Sequence, residues 1–417
     1  MLLDAFRRAV DAASPRVGMA PHLRELPGGD ALVLGAGKAA ASMAVAFNDR
    51  ATSNVRGLVV TRYGHGLRGG ESAGGIEVVE AGHPLPDEAG VEAGRRMLEL
   101  ARSVRSDETL WFLVSGGGSA LCVAPLEGVS LEQKQSTTDF LMRNGADIRE
   151  INCVRRHLSA IKGGRLAQAA RPARVVTLAI SDVPGNALCD IASGPTVPDP
   201  TPQHEAIDVL KRYGYPDLDE LRGALSDPAL ESPKPGDPNF TNDIARTIAT
   251  SKTAMDAAHR FLDQQGYEVR RLGDELATDA RELGREHARL ARKLCEAGKR
   301  IALISGGETT VVVRAVGGRG GRNLEYLASL ALELDGQEGV SALAADTDGI
   351  DGSSDAAGAF IGPDLPESAK AAGVDLATCL DRNDTHRFFE ACDLLVKTGP
   401  TRTNVNDFRL ALIDPAR

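Results

Sequence analysis

Cysteine is scarce in this sequence. The six residues, Cys122, Cys153, Cys189, Cys295, Cys379 and Cys392, are scattered without a C-x-x-C pair, which excludes a disulfide scaffold and fits a reducing cytoplasm. No apolar run approaches the roughly 18 residues that a membrane span needs. The N-terminal stretch carries Asp4, Arg7, Arg8 and Asp11 inside its apolar spacing, so it reads as an amphipathic helix and not as a secretion signal. Basic excess is also missing. Lys and Arg number 48 against 58 Asp and Glu, a net charge of −10, which argues against nucleic acid and anionic membrane surfaces as partners. A locally basic pocket for a small anion remains compatible with that balance. No H-E-x-x-H pattern and no ordered Ser/His/Asp set emerges, so zinc and hydrolase chemistry are disfavoured.

What the sequence has in quantity is glycine, 45 residues in 417, above the roughly 7% of average usage. Its length exceeds what one hydrophobic core serves, so about two domains are expected. Short apolar runs alternate with helical patterns: ALVLG at 31, GLVVT at 57, WFLVS at 111, VVTLAIS at 175, IALIS at 301 and SALAA at 341. This is the rhythm of βαβ units with buried parallel strands, an α/β fold. The proline-rich stretch from Tyr213 to Asn239 breaks it and sets the expected boundary, with domains at 1–236 and 237–417. Beyond it, Asn242 is placed to cap a helix running to Gly266, followed by the strand YEVRRL.

Several loops carry residue types suited to anions. Gly35-Ala36-Gly37-Lys38 follows a strand and opens a helix, so its amides and the Lys38 ammonium are candidates to meet a phosphate. It is not a Walker loop, since Ala39 stands where a magnesium-binding hydroxyl would be. It also admits a dinucleotide reading. The second strand ends in Thr61 and Arg62 instead of an acid, which would suit NADP, so an NADP-dependent reductase is a competing function. Ser115-Gly116-Gly117-Gly118-Ser119 has the composition of an amide nest for an anion, and Ser305-Gly306-Gly307-Glu308 is expected to repeat that geometry with an acid added.

In NCVRRHLSAIKGGRLA, read as one helix, Arg155, Ser159 and Lys162 share a face that presents cations to a carboxylate or phosphate. Asp182 lies just beyond a strand, where α/β proteins place ligand-facing groups, and Asp190 and the loop Ser193-Gly194-Pro195-Thr196 follow. GGRGGRN places Arg319 and Arg322 on glycine-rich backbone ahead of a helix beginning near Asn323, a combination suited to a transferring phosphoryl group. Asp346, Asp348 and Asp351 fall within six residues. They miss the EF-hand template and fit magnesium held through a few carboxylates, water and phosphate. His83, flanked by Pro84 in a rigid turn, is read as structural.

Taken together, LGAGKAA, GHPLPD, VSGGGSAL, INCVRRHLSAIKGGRLA, SDVPGNALCDIASGPTVPDPT, ISGGETTV, GGRGGRNLE, DTDGIDGSSDAAGA and KTGPTRTNVND resemble the glycerate 2-kinase family with a C-terminal MOFRL domain, over nearly the whole chain. The resemblance implies a larger Rossmann-like N-terminal domain and a MOFRL domain, both with mostly parallel sheets, and an active-site cleft between them. It implies transfer of the ATP γ-phosphoryl group to the 2-hydroxyl of (R)-glycerate, giving 2-phosphoglycerate and ADP with Mg2+. A non-catalytic nucleotide- or sugar-acid-binding protein is the remaining alternative. On this reading Lys38, Arg319, Arg322, Asp182 and Asp351 are catalytic candidates, with Asp182 or Asp351 orienting the hydroxyl. Gly37, the 115–119 loop, Arg155, Lys162, Asp190, Ser305, Gly306, Gly307, Glu308 and Asn323 bind substrate or phosphate, and Asp346 and Asp348 hold metal. Leu324, where Gln is expected, and Arg402, where Gly is common, depart from the family pattern. Oligomeric state is left open, a homodimer included.

Overall fold

The computed structural model describes residues 1–25 and 29–415. The chain divides into two units, Gly18–Ile248 and Met1–Val17 together with Ala249–Arg417. The division lies about a dozen residues beyond the boundary read at 236. It also assigns the N-terminal helix α1 (Leu2–Ala12) to the second unit. Sequence proximity had placed α1 with the first domain, but its buried face holds Phe6, which meets Phe408 with ring centroids 5.9 Å apart.

The Gly18–Ile248 unit is built on strands β1 (Ala31–Ala36), β2 (Val55–Arg62), β3 (Ile76–Ala81), β4 (Thr109–Val114), β5 (Arg174–Ile180) and β6 (Ile244–Ala249), in the order β3-β2-β1-β4-β5-β6. β1 to β5 pair in parallel. Every residue of β1 is buried, as are all but the first of β4 and β5. Strands covered by helices on both faces need such unbroken apolar runs. The winding reverses between β1 and β4, so the loops leaving their C-terminal ends flank the crevice where doubly wound sheets hold ligands. The helices that matter to that crevice are α2 (Ala40–Asn48), α3 (Glu88–Arg102), which Asp87 caps by accepting from the Gly90 amide, and α4 (Ile148–His157), opened by a capping box of Asp147 and Glu150.

Helix α4 stops at His157, well short of Lys162. Gly163 and Gly164 have left-handed backbone and donate their amides to the carbonyls of Ser193 and Gly194. The helix cannot run through such a segment, so Arg155, Ser159 and Lys162 do not share one helical face, contrary to the expectation from their spacing.

In the other unit, strands β7 (Glu268–Gly273), β8 (Ile301–Gly307), β9 (Val340–Asp346), β10 (Gly358–Ile361), β11 (Leu395–Val396) and β12 (Asp407–Ile413) are ordered β11-β10-β9-β12-β8-β7. The mostly parallel sheet expected here is mixed. β7 and β8 are parallel, while β12 inserts antiparallel between β8 and β9, and β10 is antiparallel to both its neighbours. An apolar run reports burial and not direction, so FRLALI could not announce its orientation. Helices α5 (Ser251–Gln264), α6 (Ala280–Cys295) and α7 (Arg322–Leu334) belong to this unit. The single helix expected from Asn242 to Gly266 is β6 followed by α5. Thr250 opens α5 in a reciprocal cap with Thr253, and the β-branched residues before it favour strand. Ala344, Leu327, Phe388 and Ile413 contribute to the core around α7.

Candidate active site

In the Gly18–Ile248 unit, the loops after β1 and β4 are bolted together. The Lys38 amide donates to Gly116 O at 2.9 Å, and the Ala39 amide donates to Ser115 Oγ at 2.9 Å. Ser115 thus supplies the acceptor that α2 lacks from its own N-cap residue, Ala39. Gly37 makes this possible. Its φ is +137°, and a methyl group there would lie 2.2 Å from Ser115 Oγ. The Lys38 and Ala39 amides, just ahead of α2, are thus bonded within the protein, and the Lys38 side chain is the candidate group of this loop for an anion.

The second loop is braced from the other direction. Ser119 Oγ lies 2.9 Å from Ser193 Oγ, and Lys162 Nζ donates to Ser119 O at 3.0 Å and Ala192 O at 3.3 Å. Ala192 and Ser193 both have positive φ, a conformation that costs side-chain-bearing residues about 1 to 3 kcal/mol and that collects at functional sites. Lys162 is only 2% exposed, and burial pulls its pKa down to about 7. It therefore acts as a strut between the 115–119 loop and the 192–194 turn.

Around this strut the charge is positive. Lys134, Arg155 and Arg165 are close enough to depress one another's or Lys162's protonation, and burial holds the pKa of all three below the usual range. Lys134 donates to Leu158 O and Arg165 to Arg156 O. The half-buried guanidinium of Arg155 makes no hydrogen bond or ion pair among the described residues. A buried cation without a counter-ion favours binding an anion. Asp190, grouped with the binding residues by sequence, accepts from Asn152 and Arg156 through Oδ1, and Arg156 also pairs with the buried Asp199. Asp182 lies just past β5, partly buried in the turn that follows.

The other unit holds a second constellation, of opposite sign. Arg322, the first residue of α7, donates to Asp407 at 2.8 Å, to Asp346 at 2.7 Å and to Glu308 at 2.7 Å. Burial opposes its charge, but these three carboxylates raise its pKa. Behind it Arg409 is fully buried, pairs with Asp407 and donates to Gly306 O. Arg319 is separate, half exposed, and pairs with Asp355.

Asp351 is fully buried and accepts from the amides of Asn323 and Leu324 and from the Asn323 side chain, so it caps α7. Burial first, and the neighbouring Asp407 next, push its pKa up to about 6. Both its oxygens serve the helix, which leaves Asp182 as the more accessible of the two acids considered for the substrate hydroxyl.

The repeated nest expected at Ser305-Gly306-Gly307 is absent. These residues are the end of β8 and pair with β12, so their backbone is spent in the sheet. Glu308 alone emerges beyond them. Among the described residues no group of three or more His, Cys, Asp or Glu side chains is arranged to hold a metal. Asp346 ends β9 and Asp348 lies in the turn that follows, where Asp346 Oδ1 accepts the Asp348 amide. The two family departures have local explanations. Leu324 is wholly buried, and Arg402 has φ +64°, a backbone that glycine adopts freely. Asp407 and Arg409 were missed by residue reasoning, although Asp407 closes the motif KTGPTRTNVND, because only sheet pairing brings β12 beside β8 and β9.

A doubly wound sheet with a lysine-bearing loop at its switch point, joined to a mixed-sheet unit with an arginine–carboxylate cluster, defines a two-unit α/β enzyme architecture. A family described as a domain of unknown function (DUF4147) matches residues 1–225, and the MOFRL family matches residues 301–407. The chain is 38% identical to the D-glycerate 2-kinase of Thermotoga maritima, over 99% of this chain and 98% of that one. It is 45% identical to a putative hydroxypyruvate reductase of Agrobacterium vitis, over 99% of this chain and 94% of the relative. The crystal structure of glycerate kinase from Thermotoga maritima superposes with a TM-score of 0.87 and 38% identity, covering 98% of both chains. The chain belongs to the glycerate 2-kinase family with a C-terminal MOFRL region.

Proposed function

We propose that this protein transfers the γ-phosphoryl group of ATP to the 2-hydroxyl of (R)-glycerate. The observation that carries the reading is the cationic cluster around Lys162, where the half-buried Arg155 guanidinium without a counter-ion lies close to the lysine that braces the 115–119 loop. In this reading Arg155 pairs with the glycerate carboxylate, Lys38 neutralises charge on the phosphoryl oxygens, Asp182 orients the attacking hydroxyl, and Lys162 keeps the 115–119 loop in place.

The carboxylate-rich cluster of the other unit suits a cation-bearing nucleotide. Carboxylates outnumber guanidinium groups around Arg322, and a bare polyphosphate would be repelled there. Mg2+ takes one or two carboxylates and leaves its other positions to water and phosphate, so Asp346 and Asp348 fit as its protein ligands. When bound, the ion would neutralise nucleotide phosphate charge. Arg322 would then move its contact from the half-exposed Glu308 to a phosphate oxygen, with Asp407 and Asp346 fixing its fork.

The reductase reading draws on Thr61 and Arg62 at the end of β2 and on the name of the Agrobacterium vitis relative. Against it stands the loop after β1, where the Lys38 and Ala39 amides that a dinucleotide pyrophosphate would need are already bonded to Gly116 and Ser115. One pair of assays separates the readings. With glycerate, ATP and magnesium, ADP should form, and with hydroxypyruvate and NADPH the nicotinamide absorbance should stay constant. Absence of ADP formation in the first assay, with or without NADPH oxidation in the second, overturns the proposal.

A further inference from the structure

The loop after β3 brings a residue to the same site that its flanking proline marks, in the sequence, as structural. His83 follows β3, which lies two strands away from β1 and three from β4 in the sheet. Its ring nevertheless reaches the loop after β4. A methyl group placed on Gly117 would lie 3.0 Å from both Cδ2 and Nε2 of His83, and 3.4 Å from Cγ of Lys38. The imidazole edge, the Lys38 stem and the Gly117 backbone, with φ +83°, therefore converge on one point. Any side chain at 117 would occupy the space in which they meet.

The loop that carries His83 is itself anchored. Asp87 caps α3 and accepts the Tyr63 hydroxyl at 2.8 Å, and Pro86 O accepts from the Gln135 side chain at 3.0 Å. His83 remains partly open to solvent. A held imidazole that meets a lysine stem over a bare glycine is placed to serve the ligand which that lysine serves.

We propose that His83 is a substrate-contacting residue, whose Nε2 edge donates a hydrogen bond to an anionic oxygen held beside Lys38 and the 115–119 loop. The inference rests on the kinase reading above, since it takes its ligand from it. The oxygen belongs either to the glycerate carboxylate or to the transferring phosphoryl group. Both are hard, charged acceptors for which an N–H donor is worth a large factor.

The test uses the full-length enzyme with three variants. His83→Phe keeps the ring and its packing but removes the donor. His83→Gln places an amide nitrogen near the Nε2 position, and His83→Asn is too short to reach it. The expected result is a roughly 10- to 100-fold loss in kcat/KM for Phe and Asn, with recovery to within a few-fold of the parent in Gln. A loss that appears in the KM for glycerate, with kcat and the KM for ATP steady, assigns the contact to the carboxylate. A loss in kcat assigns it to the phosphoryl group. A merely structural histidine would be replaced best by Phe and would show no such rescue by Gln. If folded Phe or Asn variants turn over within twofold of the parent, or Gln fails to outperform Asn, His83 does not touch substrate. If the parent enzyme itself forms no ADP, it is the kinase reading that fails. Should Phe not fold, the Gln and Asn pair still decides the question.

Discussion

Ser115 Oγ accepts the Ala39 amide at 2.9 Å, a hydrogen bond across 76 residues that caps α2 from a different loop. Ser115→Ala should cost about 1 kcal/mol, as removal of an N-cap acceptor does, and should lower turnover by loosening Lys38. Urea unfolding reads the first effect and an ADP-coupled assay the second. Gly37→Ala should be worse on both counts, destabilising by more than about 1 kcal/mol, because its methyl group would meet Ser115 in a backbone conformation that alanine disfavours.

Arg322 satisfies three carboxylates through one planar fork. Lysine offers a point charge and cannot reproduce that arrangement. Arg322→Lys should therefore destabilise the enzyme by about 3 kcal/mol, the order found when a partly buried charge network loses a partner, and abolish measurable turnover. A normal midpoint in denaturant with normal kcat would contradict this.

Lys162 provides a pH signature. Burial lowers its folded-state pKa from 10.5 to about 7, so between those values the unfolded chain binds a proton that the folded chain does not. Stability from this group rises with pH across that window and is flat outside it. Relative to the parent, Lys162→Met should lack that upward slope. Parallel pH slopes from 7 to 10 in denaturant titrations would argue that Lys162 is charged and compensated in the fold.

Asp351 caps α7 with both oxygens. Asp351→Ala should cost about 1 to 2 kcal/mol and reduce kcat by letting Arg322, the first residue of α7, shift. The KM for glycerate should change far less than kcat. Differential scanning calorimetry and steady-state kinetics check the two parts.

The strands were the most legible part of the fold. ALVLG, WFLVS and VVTLAIS are apolar on both faces, and only a doubly covered strand tolerates that. The parallel character of the first sheet is read from the alternation of those runs with helical patterns, the rhythm of βαβ units. The boundary of the helix at Arg322, with its glycine-rich lead, was also readable. Failures came where local preference yields to packing. IARTIA reads as the start of a helix and is the edge strand β6. The run through Ile161 to Arg165 kept helical spacing on paper, while Gly163 and Gly164 bond to the 193–194 turn and end it.

By itself the sequence determined which side chains carry chemistry: one lysine in a glycine loop, a set of arginines, and acids in a short turn. Those identities follow from residue type and nearby spacing, which a linear chain contains in full. Their partners were decided only by the tertiary structure. Ser115 bonds the amide of Ala39, 76 residues earlier, at the start of a helix, β12 delivers Asp407 to Arg322, and His83 crosses to Gly117 from an outer strand. Such contacts depend on strand order and direction, and no periodicity along the chain encodes either.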